Sequence, residues 1–197
     1  MSEDFLSRLE SRRSVPPALL TEPAPGEAEL QRILGIAARV PDHAMLTPWR
    51  FIVIEGDARA AVSRQLSEHY FGENTAMEPA KREKFTAIMA RVFTYAPLVV
   101  VLVSKPDTAA TIPVSEQLFS AGAVGMNLLN AVHASGYGAS WLTGWAAYSP
   151  GAREVFAMSE DERVVGFIHI GTPKEVPPDR KRPDVAALTT RWRPPPN

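Results

Sequence analysis

The sequence predicts a single helix-rich domain of the α+β or α/β class. Three observations carry that reading. Apolar residues recur at helical spacing over several long stretches, as at Leu30, Ile33, Leu34 and Ala37. The β-branched runs are few and short, Leu98 to Val103 being the most continuous. A chain of 197 residues with 45% hydrophobic and 22% charged content suits one ordinary globular core.

The elements follow in order. A first helix takes Ser2 as its N-cap, with Glu3 and Asp4 in the first turn. Phe5, Leu6 and Leu9 share one of its faces, and it stops at Arg12-Arg13-Ser14, before Pro16-Pro17. The second helix carries Leu30 to Ala37 and closes at Pro41. Pro48-Trp49 leads into a short strand at 50–55, ended by Gly56-Asp57. Helices follow at about 57–70 and 79–94, the latter with Phe85, Ile88, Met89, Val92 and Phe93 in phase. Leu98 to Val103 reads as a central strand. The segment 114–135 is helical and apolar nearly all round, which predicts burial on several sides, in the core or at a subunit interface. Gly136 ends it, and a strand at 139–142 follows. Ser149-Pro150 opens a short helix to Phe156, and Val164 to Ile170 is the last core strand. Residues 1–172 therefore form the folded unit. Of 18 prolines, seven fall from Pro173 onward, so 173–197 reads as an extension that cannot build a core alone. Such an extension would wrap over a neighbour or a partner subunit.

Composition excludes several classes of function. Lys+Arg is 21 against 22 for Asp+Glu, which lacks the basic surplus of a nucleic-acid binder. Cysteine is absent, which removes disulfides, zinc–thiolate sites, Fe–S clusters and thiol nucleophiles. The four histidines share no metal-ligand spacing, so no metal site is expected. The acidic start is unlike a secretory signal, and no apolar run approaches the ~20 residues of a membrane span. A cytoplasmic location is the expectation.

Three constellations could carry chemistry. Arg12-Arg13-Ser14 supplies two planar bidentate donors and a hydroxyl, suited to a phosphate; a cationic helix end is its bland alternative. A second basic cluster, Arg180-Lys181-Arg182, lies in the tail. The loop Arg39-Val40-Pro41-Asp42-His43, running to Pro48-Trp49-Arg50-Phe51, joins a helix to a strand, where sites are often built. Gly136-Tyr137-Gly138 follows a helix and enters a strand, the reverse of a dinucleotide fingerprint, and nothing matches a nucleophile elbow. Beyond it, Trp141 and Thr143 would leave the sheet where backbone donors can face a ligand. With no metal, thiol or triad, any chemistry would come from a bound cofactor.

The segments "SRRSV" at 11–15, "ARVPDHAMLTPWRFIVIEG" at 38–56, "SAGAVGMNLLNAVHASGYGASWLTG" at 120–144 and "VVGFIHIGTP" at 164–173 together resemble the nitroreductase family of FMN-dependent oxidoreductases, and within it a compact NAD(P)H nitroreductase subgroup. The resemblance implies an α+β fold whose central, mostly antiparallel sheet is flanked by helices, with the C-terminal extension wrapping the partner of an obligate homodimer. It implies two FMN sites shared between subunits. Arg12, Arg13 and Ser14 would hold the phosphate and ribityl chain, with Arg180 and Arg182 as further phosphate ligands. Arg39 and His43 would approach the flavin from the other subunit. Trp141, Leu142 and Thr143 would contact the isoalloxazine ring. Ala131 to Gly136 matches a segment assigned to nicotinamide binding, although by its residues it reads as a buried helix end. Larger relatives carry a lysine after the Arg-x-Ser motif, where this chain has Val15-Pro16-Pro17, and Arg39 is the candidate substitute.

The implied reaction is a ping-pong transfer of hydride from NAD(P)H through FMN to a nitroaromatic, quinone or similar acceptor. No side chain is expected to act as catalyst, since the chemistry belongs to the flavin. The alternatives are another redox reaction of the same family or a flavin-binding protein without turnover.

Overall fold

The computed structural model describes residues 2–194, with side chains described from Phe5 onward. The capping role of Ser2, the acidic first turn of Glu3 and Asp4, and the last tail prolines, Pro195 and Pro196, lie outside the described side chains. The sheet is built around β3 (Leu98–Ser104), every residue of which is buried. On one side β3 pairs with β2 (Trp49–Glu55), and on the other with β5 (Arg163–Pro173). The far edge of β5 takes β4 (Gly138–Leu142), and near its end β5 also pairs with the two-residue β1 (Leu20–Thr21). Every pairing is antiparallel, which decides for α+β over α/β. The last strand is longer than the apolar run 164–170 suggests, because it continues through Gly171 to pair with β1.

Helices cover both faces. Against one face, carrying Leu98, Val100, Leu102, Ile168 and Ile170, pack α2 (Glu27–Ala37) and α5 (Val114–Ala134). The expected stripe of Leu30, Ile33, Leu34 and Ala37 is the buried face of α2. The other face carries Val99, Val101, Val103 and Phe167, and is covered by Leu66 of α3 (Ala58–Glu73), Phe93, and Phe156 just beyond α6 (Pro150–Val155). The amino-terminal helix α1 (Ser2–Ser11) leaves Phe5, Leu6 and Leu9 exposed. Packed against α3 is α4 (Pro79–Met89), shorter than its periodicity predicts. Turns take over after Met89 so that the Phe93 N–H can reach the buried Ser63 Oγ at 3.1 Å and its ring can meet Phe156 and Phe167. Gly136 does close α5, at φ +89°, with Gly136 N–H donating to His133 and Tyr137 N–H to Val132, the paired bonds of a Schellman turn. Among the described residues no helix is long and apolar enough to cross a membrane.

Two polar groups in the core were not signalled by any pattern. Arg50 on β2 reaches across β3 to the buried Glu162, its Nε donating to Oε1 at 2.7 Å and its Nη2 to Oε2 at 2.9 Å. The Arg50 guanidinium hydrogen-bonds to Glu162 and thereby holds its carboxyl below the usual carboxylate range. His169 on β5 is 1% exposed, its Nδ1 has no hydrogen-bond partner, and burial lowers its pKa to about 4.

Two stability predictions follow from these groups. Arg50→Ala strands a buried carboxylate and is expected to cost about 3 kcal/mol in urea unfolding, whereas a loss below about 1 kcal/mol would mean that the remaining Ser159 N–H bond to Glu162 suffices. For His169, the folded pKa lies below the ordinary 6.5, so the unfolded chain binds the extra proton as pH falls. Stability from this group is complete above about 6.5 and lost on going down to about 4, by roughly 3 kcal/mol. Unfolding free energies of wild type and His169→Gln across that window should therefore converge as pH falls; parallel curves would rule the buried imidazole out.

Candidate functional site

The end of α1 is fixed by its exit. Val15 is buried, and its N–H donates to Ala139 O of β4 at 3.0 Å. Gly138 makes that approach possible, since a Cβ there would lie 2.9 Å from the Leu20 Cδ2 and 3.2 Å from the Val15 Cγ2. Pro16-Pro17 then turns the chain into β1. Arg12, Arg13 and Ser14 are thus presented from a pinned segment. After β5 the tail is held by the Lys174 N–H on Leu19 O and returns over the same place. Arg12, Arg13, Ser14, Arg180 and Arg182 line one cavity of about 160 Å³. The sequence-expected clamp and the tail's basic pair are therefore brought together.

The electrostatics of this cavity are those of an anion site. None of its lining residues is acidic. Burial, followed by repulsion from Arg182, Arg13 and Arg180, lowers the Arg12 pKa from its ordinary value. Asp179 offsets part of the charge from the rim, accepting from Arg182 Nη2 at 2.6 Å. The Arg13 Nη1 is buried and has no hydrogen-bond partner. A buried donor left unpaired is costly, and a phosphate oxygen is the acceptor that guanidinium geometry fits best. The residues present therefore fit a phosphate-bearing cofactor.

The exit of β4 is set by the packing of one residue, Trp141. The Trp141 indole does not face outward: its Nε1 donates to Val165 O at 3.1 Å, and its ring fills the space over Gly125 and Gly166, where any Cβ would collide with it. Trp141 can address a ligand only through its backbone. Leu142 and Thr143, with Gly144 at φ +131°, line a separate small cavity of about 60 Å³ together with the buried His169.

Arg39 and His43 are exposed and do not join the arginine cavity within this chain. His43 Nδ1 lies 2.9 Å from Glu116 Oε2, at the start of α5. Their loop is strained: Ala44, Met45 and Thr47 all have positive φ, at 60°, 54° and 49°. Such conformations cost about 1–3 kcal/mol each in non-glycine residues and are retained where a site requires them. The loop is fastened by the Thr47 N–H on Asp42 Oδ2 at 2.8 Å, and Met45 is driven out into solvent. The end of α5, Ala131 to Gly136, is a capped helix terminus with cavities on both sides of it. No group of His, Asp or Glu side chains among the described residues could hold a metal.

The sequence reading passed over Gln117, buried in α5. Its amide organises the 105–113 loop by accepting from Asp107 N–H and donating to the Asp107 and Ile112 carbonyls. A lone polar residue on an otherwise apolar helix face was the available signal.

The sequence and the fold are both similar to those of known proteins. The model of the nitroreductase family matches residues 9–172. The Escherichia coli K12 protein named "Putative NAD(P)H nitroreductase YdjA" is 36% identical over 174 residues, covering 87% of this chain and 89% of its own. A Haemophilus influenzae protein named "Putative NAD(P)H nitroreductase" is 34% identical over 177 residues, covering 87% of this chain and 90% of its own. Among solved structures, a nitroreductase-like family protein from Bacillus cereus superposes with a TM-score of 0.79 at 22% identity, over 95% of both chains.

If the guanidinium cluster is an anion site, neutralising it should stabilise the chain even without the rest of a cofactor. Millimolar inorganic phosphate is expected to raise the thermal midpoint of the flavin-free protein by a few degrees, about 1 kcal/mol or more when the ligand exceeds its dissociation constant about tenfold. Arg12→Gln should abolish the increment. An equal rise in both proteins would assign it to general salt effects.

Proposed function

This chain belongs to the nitroreductase family, and on that premise we propose that it is an FMN-dependent NAD(P)H oxidoreductase that reduces nitroaromatics, quinones or similar electron-poor acceptors. The observation that carries the reading is the carboxylate-free cavity of Arg12, Arg13, Ser14, Arg180 and Arg182, with the Arg13 Nη1 buried and unpaired beside it. A solved structure from Desulfovibrio desulfuricans, described as a nitroreductase in complex with FMN, shares the fold at a TM-score of 0.70.

Bound FMN would supply the hydride chemistry, and the chain's own residues would bind and orient it. Arg12, Arg13, Arg180 and Arg182 would neutralise the phosphate, and the Ser14 hydroxyl would meet the ribityl chain. The backbone of Trp141, Leu142 and Thr143 would line the isoalloxazine edge. The Trp141 indole would serve by holding that strand end against β5. Donor and acceptor would use one pocket in turn, in keeping with ping-pong kinetics.

We further propose a homodimer with the sites at the interface. Val114, Leu118 and Met126 recur at multiples of four along α5 and are exposed, with Phe119 beside them. Ile36, Met45 and the α1 residues Phe5, Leu6 and Leu9 extend this apolar surface. A monomer rarely leaves so many large apolar side chains in water. In such a dimer the strained loop with Arg39 and His43 would reach the partner's flavin. The tail, with Val176, Val185, Leu188 and Trp192 all exposed, would cover the partner. An expectation of cytoplasmic residence accompanies this reading.

The purified protein should show flavin absorbance that bleaches anaerobically on adding NADPH or NADH. Arg12→Ala with Arg13→Ala removes charged hydrogen bonds worth roughly 1.5–3 kcal/mol each, so FMN affinity should fall at least about a hundredfold. Flavin retained by the double variant would place the phosphate elsewhere, and a yellow wild type indifferent to both nucleotides would leave a binding protein without turnover.

A further inference from the structure

Helix α5 holds the strained loop after α2 at two points. Glu116 and Asn127 lie eleven residues apart on α5, about three turns, so both side chains leave the same face of the helix. The Asn127 Nδ2 donates to Ile36 O at 2.7 Å and to Arg39 O at 3.4 Å, which fixes where α2 stops and the loop begins. Further along the loop, His43 Nδ1 lies 2.9 Å from Glu116 Oε2. Phe119, one turn on from Glu116, is exposed beside it, so this face belongs to the apolar surface assigned above to the homodimer.

The fold gives little reason for the contact with Glu116. With side chains 62% and 48% exposed, such a pair adds little to stability. Ala44, Met45 and Thr47, just after it, cost more than that in backbone strain. What the arrangement secures is the orientation of one ring. A carboxylate only accepts hydrogen bonds, so the neutral imidazole bonded to it carries its hydrogen on Nδ1. Its Nε2 is left with a lone pair, and among the described residues no group donates to it. An exposed acceptor, fixed in tautomer and aim by a second side chain, suits a donor outside this chain.

We propose that Glu116 is a positioning residue: by holding His43 Nδ1, it aims the Nε2 lone pair at a hydroxyl or ring N–H of the flavin bound to the partner subunit. The inference rests on the flavin and homodimer reading above and extends it to the side chain behind His43. No proton changes hands. The ring accepts one hydrogen bond, and Glu116 keeps it in the form that can.

The test is a double-mutant cycle on the full chain. Flavin-free wild type, Glu116→Gln, His43→Ala and the double variant are titrated with FMN, following flavin fluorescence. His43→Ala should weaken FMN about tenfold, as expected for one hydrogen bond. Glu116→Gln should weaken it about threefold or more in the wild-type chain, but less than about 1.5-fold in the His43→Ala chain, because it acts only through the ring. Nitrogen NMR of the imidazole supplies a readout that a merely structural role would not move. The hydrogen should sit on Nδ1 in the wild type and redistribute towards Nε2 in Glu116→Gln. Equal weakening by Glu116→Gln in both chains, an unchanged tautomer, or full FMN affinity in His43→Ala would each overturn the positioning role alone. A wild type that binds no FMN would remove the flavin reading, and one that binds it as a monomer would remove the shared site; either takes the inference with it.

Discussion

Arg12, Arg13, Arg180 and Arg182 repel one another, and no carboxylate lines the cavity they enclose. Groups so disposed would drift apart on a flexible chain, so their proximity has to be imposed by the scaffold. The scaffold does this through β5, which pairs with β3, β4 and β1. The ladder to β4 fixes Ala139, which anchors Val15 and hence the arginines before it. The pairing with β1 fixes Leu19, which holds Lys174 and hence the tail arginines after it. Both halves of the clamp thus hang from one strand. The same strand is fastened at its start by the ion pair of Glu162 with Arg50, across the full width of β3.

Where the scaffold meets the expected ring contacts, shape matters more than charge. Trp141 is wedged between α5 and β5 because Gly125 and Gly166 leave room for it, and its indole N–H is satisfied by Val165 O. This packing fixes where β4 ends and where Leu142 and Thr143 depart. The strained loop after α2 is a contrasting case, held by polar fastenings at Asp42 and Glu116 against unfavourable backbone conformations.

Much of this was legible in the sequence, for identifiable reasons. The α2 stripe, the continuous β-branched run of β3 and the glycine after α5 each express a local rule, and each appears where the rule puts it. Arg12-Arg13-Ser14 could be singled out because consecutive donors are a local pattern. Its meeting with Arg180 and Arg182, some 170 residues away in the chain, was not visible in residue spacing and entered only through family resemblance. Trp141 was singled out for its backbone at the strand end, and the inward packing of its indole was not legible, because nothing local reveals that two distant glycines make space for it. Arg50 with Glu162, and His169, are single polar residues in apolar surroundings. Nothing in their neighbours' identity distinguishes an ion pair across a sheet, or an orphaned imidazole, from an ordinary surface position.

The clamp joins Arg12, Arg13 and Ser14 to Arg180 and Arg182, and that has a consequence for the order in which the protein acquires its properties. A ribosome makes the amino-terminal arginines first, and domains begin to fold while synthesis continues. Because β5 ends at Pro173, only seven residues before Arg180, the last core strand and the tail arginines emerge almost together, and the sheet and the anion cavity are completed at the same late stage. A chain cut short after β5 would keep every strand and lack the tail's two arginines, leaving the site unfinished.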